Sequence, residues 1–325
     1  MIPAMDIHVL AINGVADLGL SAIVDTLNYA NQLAPMLDPP PAPMNVTVVG
    51  ARRRVRTANG LIVPVQSIDR QSRPDAIVTP ALGPVTSDAV EAALEQPELR
   101  DIKAAMVAQF NDDVWIGAAC TATLLLADTG LLNGHTATTS WWLAPLFRRR
   151  YPQVSLDDSR MMIVSAPFVT AGAALAHVDL ALGLVRRRSP ALAALTARYL
   201  LVDSRASQAV YAIPDHLAHA DPLVERFEGW ARRNLSKGFN LADAATSIGT
   251  SERTLARRMR STLGKTPLGF VQDLRIEHAV HLLQTTHESV DRVAEQVGYV
   301  DGVTLRGLLR RKLGRSVREL RATTL

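Results

Sequence analysis

The chain has 325 residues, enough for two domains, and its 48% apolar and 20% charged residues exclude a disordered, fibrous or membrane-embedded protein. A single cysteine excludes an internal disulfide and any multi-cysteine zinc site, and fits a reducing compartment. The net charge of +4 is unevenly spread: residues 222–325 carry 18 Lys/Arg against 11 Asp/Glu, or +7, and the rest carry 17 against 20, or −3. A basic C-terminal third on a slightly acidic body points to a module that binds a polyanion. The opening "MIPAMDIHVLAING" lacks a basic segment followed by a long apolar run, so no secretory signal is expected. No uncharged apolar stretch reaches the roughly 18 residues of a membrane helix, so a cytoplasmic protein without a membrane partner is expected.

In chain order, 6–12 reads as a strand, 17–33 as a helix and 37–44 as a proline-rich loop. Strands are predicted at 45–50, 61–66 and 75–82, then a helix from about 87 to 110. A strand at 113–119 runs into a helix at 121–132. Extended segments follow at 134–142 and 160–171, then helices at 172–188 and 191–201. Apolar strands alternating with helices predict a mostly parallel sheet covered on both faces, a flavodoxin-like three-layer α/β sandwich. Ligands bind such sheets at the C-terminal ends of the strands. Cys120 lies there, on a strand-to-helix turn that exposes its apex and aims backbone N–H groups at it. The plainer alternative is a small buried cysteine.

The stretch "AACTATLLLADTGLLNGHTATTSWW" resembles the cysteine elbow of the class I glutamine amidotransferase-like superfamily, in its intracellular protease and isonitrile hydratase branch. The likeness covers about 5–190. It implies an acidic residue on the first helix, at Asp25, and a histidine position held here by Ser140. It also implies a glycine pair for oxyanion N–H groups, held here by Ala81 and Leu82. Cysteine catalysis needs a base and a proton donor, and Ser140 supplies neither. A ligand pocket without catalysis is therefore expected, lined by Cys120, Asp25, Thr121, Leu82 and Ser140, with no cofactor and no metal. Two other readings stay open: a cysteine hydrolase or hydratase fused to a DNA-binding domain, and a regulator whose Cys120 is oxidised.

From 241, "LADAATSIGTSERTLARRMRSTLGKTP" gives a short apolar-faced helix, a turn at Gly249, an N-cap at Ser251 and a helix bearing Arg253 and Arg257. This is a helix-turn-helix pattern. It recurs about 50 residues on in "SVDRVAEQVGYVDGVTLRGLLRRKLG", with Gly298 answering Gly249, Leu305 answering Leu255 and Gly314 answering Gly264. An amphipathic helix at 270–286 joins the copies. The repeat resembles the AraC/XylS DNA-binding domain, and the whole chain resembles its GlxA-type branch.

The resemblance implies a DNA-reading module from 222 to 325, a sensor domain over 1–204 and a linker over 205–221. Base-facing residues would be Arg253, Ala256 and Arg257 in the first unit, with Ser251 beside them. In the second unit the equivalent positions fall on Gly302, Val303, Thr304 and Gly307, with Arg306 adjacent. Arg310, Arg311, Lys312 and Arg315 would touch phosphate, making the second unit mainly an anchor. The implied protein is a homodimeric transcriptional regulator of double-stranded DNA that senses a small metabolite, an amino acid or a quaternary ammonium compound.

Overall fold

The computed structural model describes residues 3–69, 71–111, 113–202, 208 and 221–322. Most of the expected linker, 205–207 and 209–220, lies outside the described residues. The chain divides into two compact units, Met1–Gln208 and Ala209–Leu325. Gln208, inside the expected linker, is fully buried in the first unit.

The first unit is built on strands β1 (Met5–Leu10), β2 (Met44–Gly50), β5 (Gln66–Ser67), β6 (Ala76–Thr79), β7 (Trp115–Ala119), β10 (Met162–Ser165) and β11 (Phe168–Ala171). They form one sheet in the order β10-β11-β7-β6-β1-β2-β5. Every pairing is parallel except β10 with β11. A hairpin, β3 (Arg54–Arg56) with β4 (Ile62–Pro64), and a small pair, β8 (Thr136–Ala137) with β9 (Ser155–Leu156), stand apart. The predicted strand at 61–66 is therefore two short ones.

Strand residues alternate between two cores, as a sheet with both faces covered requires. Ile7, Val9, Ala76 and Val78 pack under α1 (Asp17–Leu33), α6 (Ala176–Arg188) and α7 (Pro190–Tyr199). Ile77, Ile116 and Ala118 pack under α2 (Ser87–Leu94), α3 (Pro97–Gln109), α4 (Ala122–Asp128) and α5 (Ala144–Arg150). The single helix expected at 87–110 is broken because Pro97 cannot donate to the preceding turn, and it starts α3 instead.

The strand order reverses at β1, which pairs β2 on one side and β6 on the other. That places the switch-point crevice at the ends of β1 and β6, beside β7 and Cys120.

The second unit holds α8 (Pro222–Arg233), α9 (Leu241–Ser247), α10 (Glu252–Leu263), α11 (Pro267–Thr285), α12 (Val290–Gln296), α13 (Gly302–Leu313) and α14 (Val317–Ala322). Asp221, Asn240, Ser251, Thr266, Ser289 and Asp301 each cap the helix that follows by accepting backbone N–H bonds. Ser316 and Glu319 exchange side-chain-to-backbone bonds, a capping box that starts α14.

Candidate functional site

Cys120 has the bend the sequence predicts. Its φ of +57° is one of two positive values on non-glycine residues among those described. A side chain in that region costs about 1–2 kcal/mol. The turn is held by backbone and hydroxyl bonds: Cys120 N donates to Ala171 O (2.8 Å), and Thr139 Oγ1 donates to Cys120 O (2.8 Å). Ser140 Oγ donates to Cys120 Sγ at 2.9 Å. Cys120 is buried. Burial pushes its pKa up, against the smaller opposing effects of Ser140 and the Thr121 N–H. The sulfur is thus a thiol at neutral pH, and the strained turn does not activate it.

The Ala81 and Leu82 N–H groups, which the resemblance would assign to an oxyanion, are already used. Leu82 N donates to Thr121 Oγ1 at 2.6 Å, and that hydroxyl donates back to Leu82 O at 2.9 Å. Ala81 N donates to His177 Nε2 at 3.0 Å. His177 Nδ1 lies 2.5 Å from Ala174 O, and because a carbonyl only accepts, Nδ1 carries the proton. His177 is therefore the neutral imidazole, its pKa lowered by burial, with its one lone pair committed to Ala81.

Ser140 bonds Cys120 and Leu82 bonds the adjacent Thr121, whereas Asp25 stands apart. It is exposed on α1, eight residues past Asp17, or about 12 Å down the helix from the end that meets the site. The α1 position that faces the site is Gly19, where an added Cβ would stand 2.7 Å from His177 Nε2. The sequence reading placed the acid two turns too far along, because helical spacing alone does not say which face turns inward. His177 fills the space that Gly19 leaves.

Gln208 is the residue sequence reasoning missed. Its Nε2 donates to Thr139 O (2.8 Å), Thr138 Oγ1 (3.1 Å) and Arg160 O (3.1 Å), and its Oε1 accepts from Trp141 N (3.2 Å). Its backbone N donates to Ser159 O at 2.9 Å. The amide lies against Gly172, where any Cβ would stand 2.6 Å from Oε1. No local signal marks this residue, since its partners lie 36 to 70 positions away.

In the second unit the two copies match closely. Gly249 and Gly298 both turn at positive φ (71° and 82°), and Gly264 and Gly314 end α10 and α13 with φ of 67° and 68°. Leu255 and Met259 are buried under α10, and Leu305 and Leu309 under α13. The opposite faces are exposed: Arg253 and Arg257 on α10, with Ala256 partly so, and Val303, Thr304, Arg306, Gly307, Arg310 and Arg311 on α13. Ser251 spends its hydroxyl on the cap, accepting from Thr254 N and donating to Thr254 Oγ1 at 2.9 Å.

Two second-unit expectations change. Gly302 is buried, its N–H donated to Asp291 Oδ1 at 2.8 Å, so it is a close helix approach and not a base-facing position. Lys312 pairs with Asp273 of α11 at 2.9 Å, and Lys265 reaches the same carboxylate at 2.8 Å. Asp273 thereby ties α13 and the end of α10 to α11. Buried Arg275, also on α11, donates to Leu235 O (3.0 Å) and Lys237 O (2.6 Å) and lies over the Tyr299 ring. None of the described helices is long and apolar enough to cross a membrane.

Residues 244–323 match the family model described as "Helix-turn-helix domain". The transcriptional regulator CdhR of Pseudomonas aeruginosa is 27% identical over 193 residues, 58% of this chain and 57% of that protein. The regulator GbdR of the same organism is 24% identical over 234 residues, 69% of this chain and 64% of that one. The chain thus spans about 60% of the length of these curated relatives. A THiJ/PfpI family protein from Pseudomonas syringae superposes with a TM-score of 0.50 at 17% identity, over 62% of this chain and 77% of its own, a likeness of fold. A duplicated helix-turn-helix module that follows an α/β unit of the THiJ/PfpI fold, with HTH-type transcriptional regulators as relatives, supports the resemblance to the AraC family in its GlxA-type arrangement.

Proposed function

We propose that the protein is a cytoplasmic, homodimeric transcriptional regulator. Its first unit binds a small metabolite at the strand ends beside Cys120, and its second unit reads two successive major-groove segments of DNA. The observation that carries this reading is the pair of capped, twelve-residue helices with arginines on their solvent faces. Arginine donates two bonds to guanine O6 and N7, a geometry suited to base recognition. In the first helix-turn-helix copy Arg253 and Arg257 contact bases. In the second, Thr304 and Arg306 face the groove, while Arg310 and Arg311 hold phosphate.

The first unit acts without chemistry. The thiol is protonated, Ser140 is no base, His177 is committed to Ala81, and the Ala81 and Leu82 N–H groups are spent inside the fold. Oxidation sensing is disfavoured for the same reason, since it needs an accessible thiolate.

The test is selection of bound duplexes from a random pool by the full-length protein, followed by a metabolite screen for altered affinity. Cys120→Ser should give a folded, DNA-binding protein with altered effector response. Turnover of an amide, ester or isonitrile that vanishes in Cys120→Ser would instead make the protein an enzyme.

A further inference from the structure

The Gln208 amide is not held as surface glutamines are held. It is fully buried, and each end of it faces groups of one kind. Three oxygens converge on Nε2: the carbonyls of Thr139 and Arg160 and the hydroxyl of Thr138. The Thr138 hydroxyl itself donates to Arg160 O at 3.0 Å, which leaves its lone pair for the amide. One N–H, that of Trp141, faces Oε1. Reversing the amide would set its oxygen against two carbonyls that can only accept, so the orientation is fixed. Gly172 forms one wall, and a Cβ there would stand 2.8 Å from both Cδ and Nε2. The slot abuts the cysteine turn: Thr139 also bonds Cys120 O, Ser140 bonds Cys120 Sγ, and Ala171 receives Cys120 N.

This pattern selects one chemistry. A carboxylate would set an anionic oxygen against the Thr139 and Arg160 carbonyls. A guanidinium would set an N–H against the Trp141 N–H. An ammonium has no acceptor for Trp141. Only a neutral, planar group with a carbonyl acceptor and an amino donor on one carbon, its two hydrogens shared among the three oxygens, suits these partners.

We propose that this slot is a recognition site for a primary carboxamide or ureido ligand, and that Gln208 is its internal occupant, displaced when such a ligand binds. The proposal rests on the sensor reading above and names its ligand class. Gln208 is the last residue of the first unit, and the next residue belongs to the second. Exchange of its amide for a free one therefore frees the side chain of the last residue of the first unit. A tethered side chain competes at high effective concentration, so the wild type answers a simple amide weakly, and a variant without the occupant answers it strongly.

The experiment uses full-length protein and propionamide as probe, with propionate and propylamine as controls, read by thermal unfolding and saturation-transfer NMR. Gln208→Ala should bind propionamide at least tenfold more tightly than the wild type. At ten times its Kd, a ligand of the folded state should raise the midpoint by about 3–6 °C, and neither control should. Should Gln208→Ala not fold, Gln208→Asn, which withdraws the amide by one methylene, takes its place. Adding Gly172→Ala should abolish the response, because the new Cβ fills the slot.

A folded variant with no amide-selective response overturns the proposal. So does a response that survives Gly172→Ala, which places the amide elsewhere. DNA affinity measured alongside separates the two readings. Amide binding that leaves DNA affinity unchanged retains the slot and defeats the sensor function. DNA affinity answering another metabolite, without an amide response, does the reverse.

Discussion

Gly249 and Gly298 hold the same place in the two helix-turn-helix copies, both at positive φ, yet their surroundings differ. Around Gly249 nothing lies within 4 Å of an added Cβ. Alanine there costs the left-handed backbone alone, about 1–2 kcal/mol. At Gly298 the same Cβ would collide with the Leu235 carbonyl oxygen and stand 2.8 Å from Arg275 Nη2. Those are the groups that bind each other: Arg275 Nε donates to Leu235 O at 3.0 Å, and the guanidinium covers the Tyr299 ring. Relieving the collision must move a backbone carbonyl and loosen at least one charge-assisted hydrogen bond, about 1.5–3 kcal/mol more. Gly298→Ala should therefore cost about 2.5–5 kcal/mol against about 1–2 for Gly249→Ala. Urea unfolding of the full-length variants, followed by circular dichroism, gives the difference in stability. DNA binding by the second copy should weaken in Gly298→Ala and recover in part with added glycerol or sucrose, which favour the folded state. Equal costs at the two glycines would refute the reasoning, since they would show that the Leu235–Arg275 contact carries no energy.

Residues 222–325, expressed alone, should bind duplex DNA with an affinity that falls steeply with salt, by about 0.9 in log-log slope per phosphate neutralised; a folded fragment with no salt-sensitive binding would rule out the DNA reading. Arg257→Ala should cost about 1–3 kcal/mol on the best selected site and relax preference at one base pair, whereas Arg311→Ala should weaken all sequences alike and flatten the salt slope by about 1. Equal loss of specificity from both would contradict the anchoring role of α13. His177 is buried neutral with its pKa lowered from the usual 6.5, so the folded state binds fewer protons than the unfolded one as pH falls. Its stability contribution is complete above about pH 6.5 and is lost progressively below it, toward the lower folded value. Melting midpoints measured from pH 8 to pH 5 should show this decline, and His177→Gln, which cannot be protonated, should flatten it.

What the sequence made legible follows the range of the interactions involved. The apolar strands and the turn at Cys120 depend on neighbours in the chain, and apart from 61–66 they stand close to where the pattern puts them. The helix-turn-helix copies were legible twice over, because caps such as Ser251 and left-handed glycines such as Gly264 are local devices with fixed offsets. Arg275 was not, because an arginine in a long amphipathic helix reads as solvated until the loop carbonyls of Leu235 and Lys237, 38 to 40 residues earlier, are seen to need it.

The first-unit site divides the same way. Absences at Ser140 and at Ala81–Leu82 were visible in the sequence, but what replaced the missing groups was not. His177 lies 96 residues from the N–H it caps, and Gln208 lies 69 residues from the carbonyl it binds. Loss of catalytic residues would by itself leave unpaired N–H groups and an open cavity at the strand ends, each unsatisfied buried donor costing about 1–3 kcal/mol. Here His177 and Thr121 take up those donors and Gln208 fills the adjoining slot. The pairing of Gly19 with His177 argues the point most directly, because a side chain on α1 and the imidazole cannot occupy that space together. On the proposed reading, a ligand that displaces Gln208 must offer the hydrogen bonds that its amide now makes.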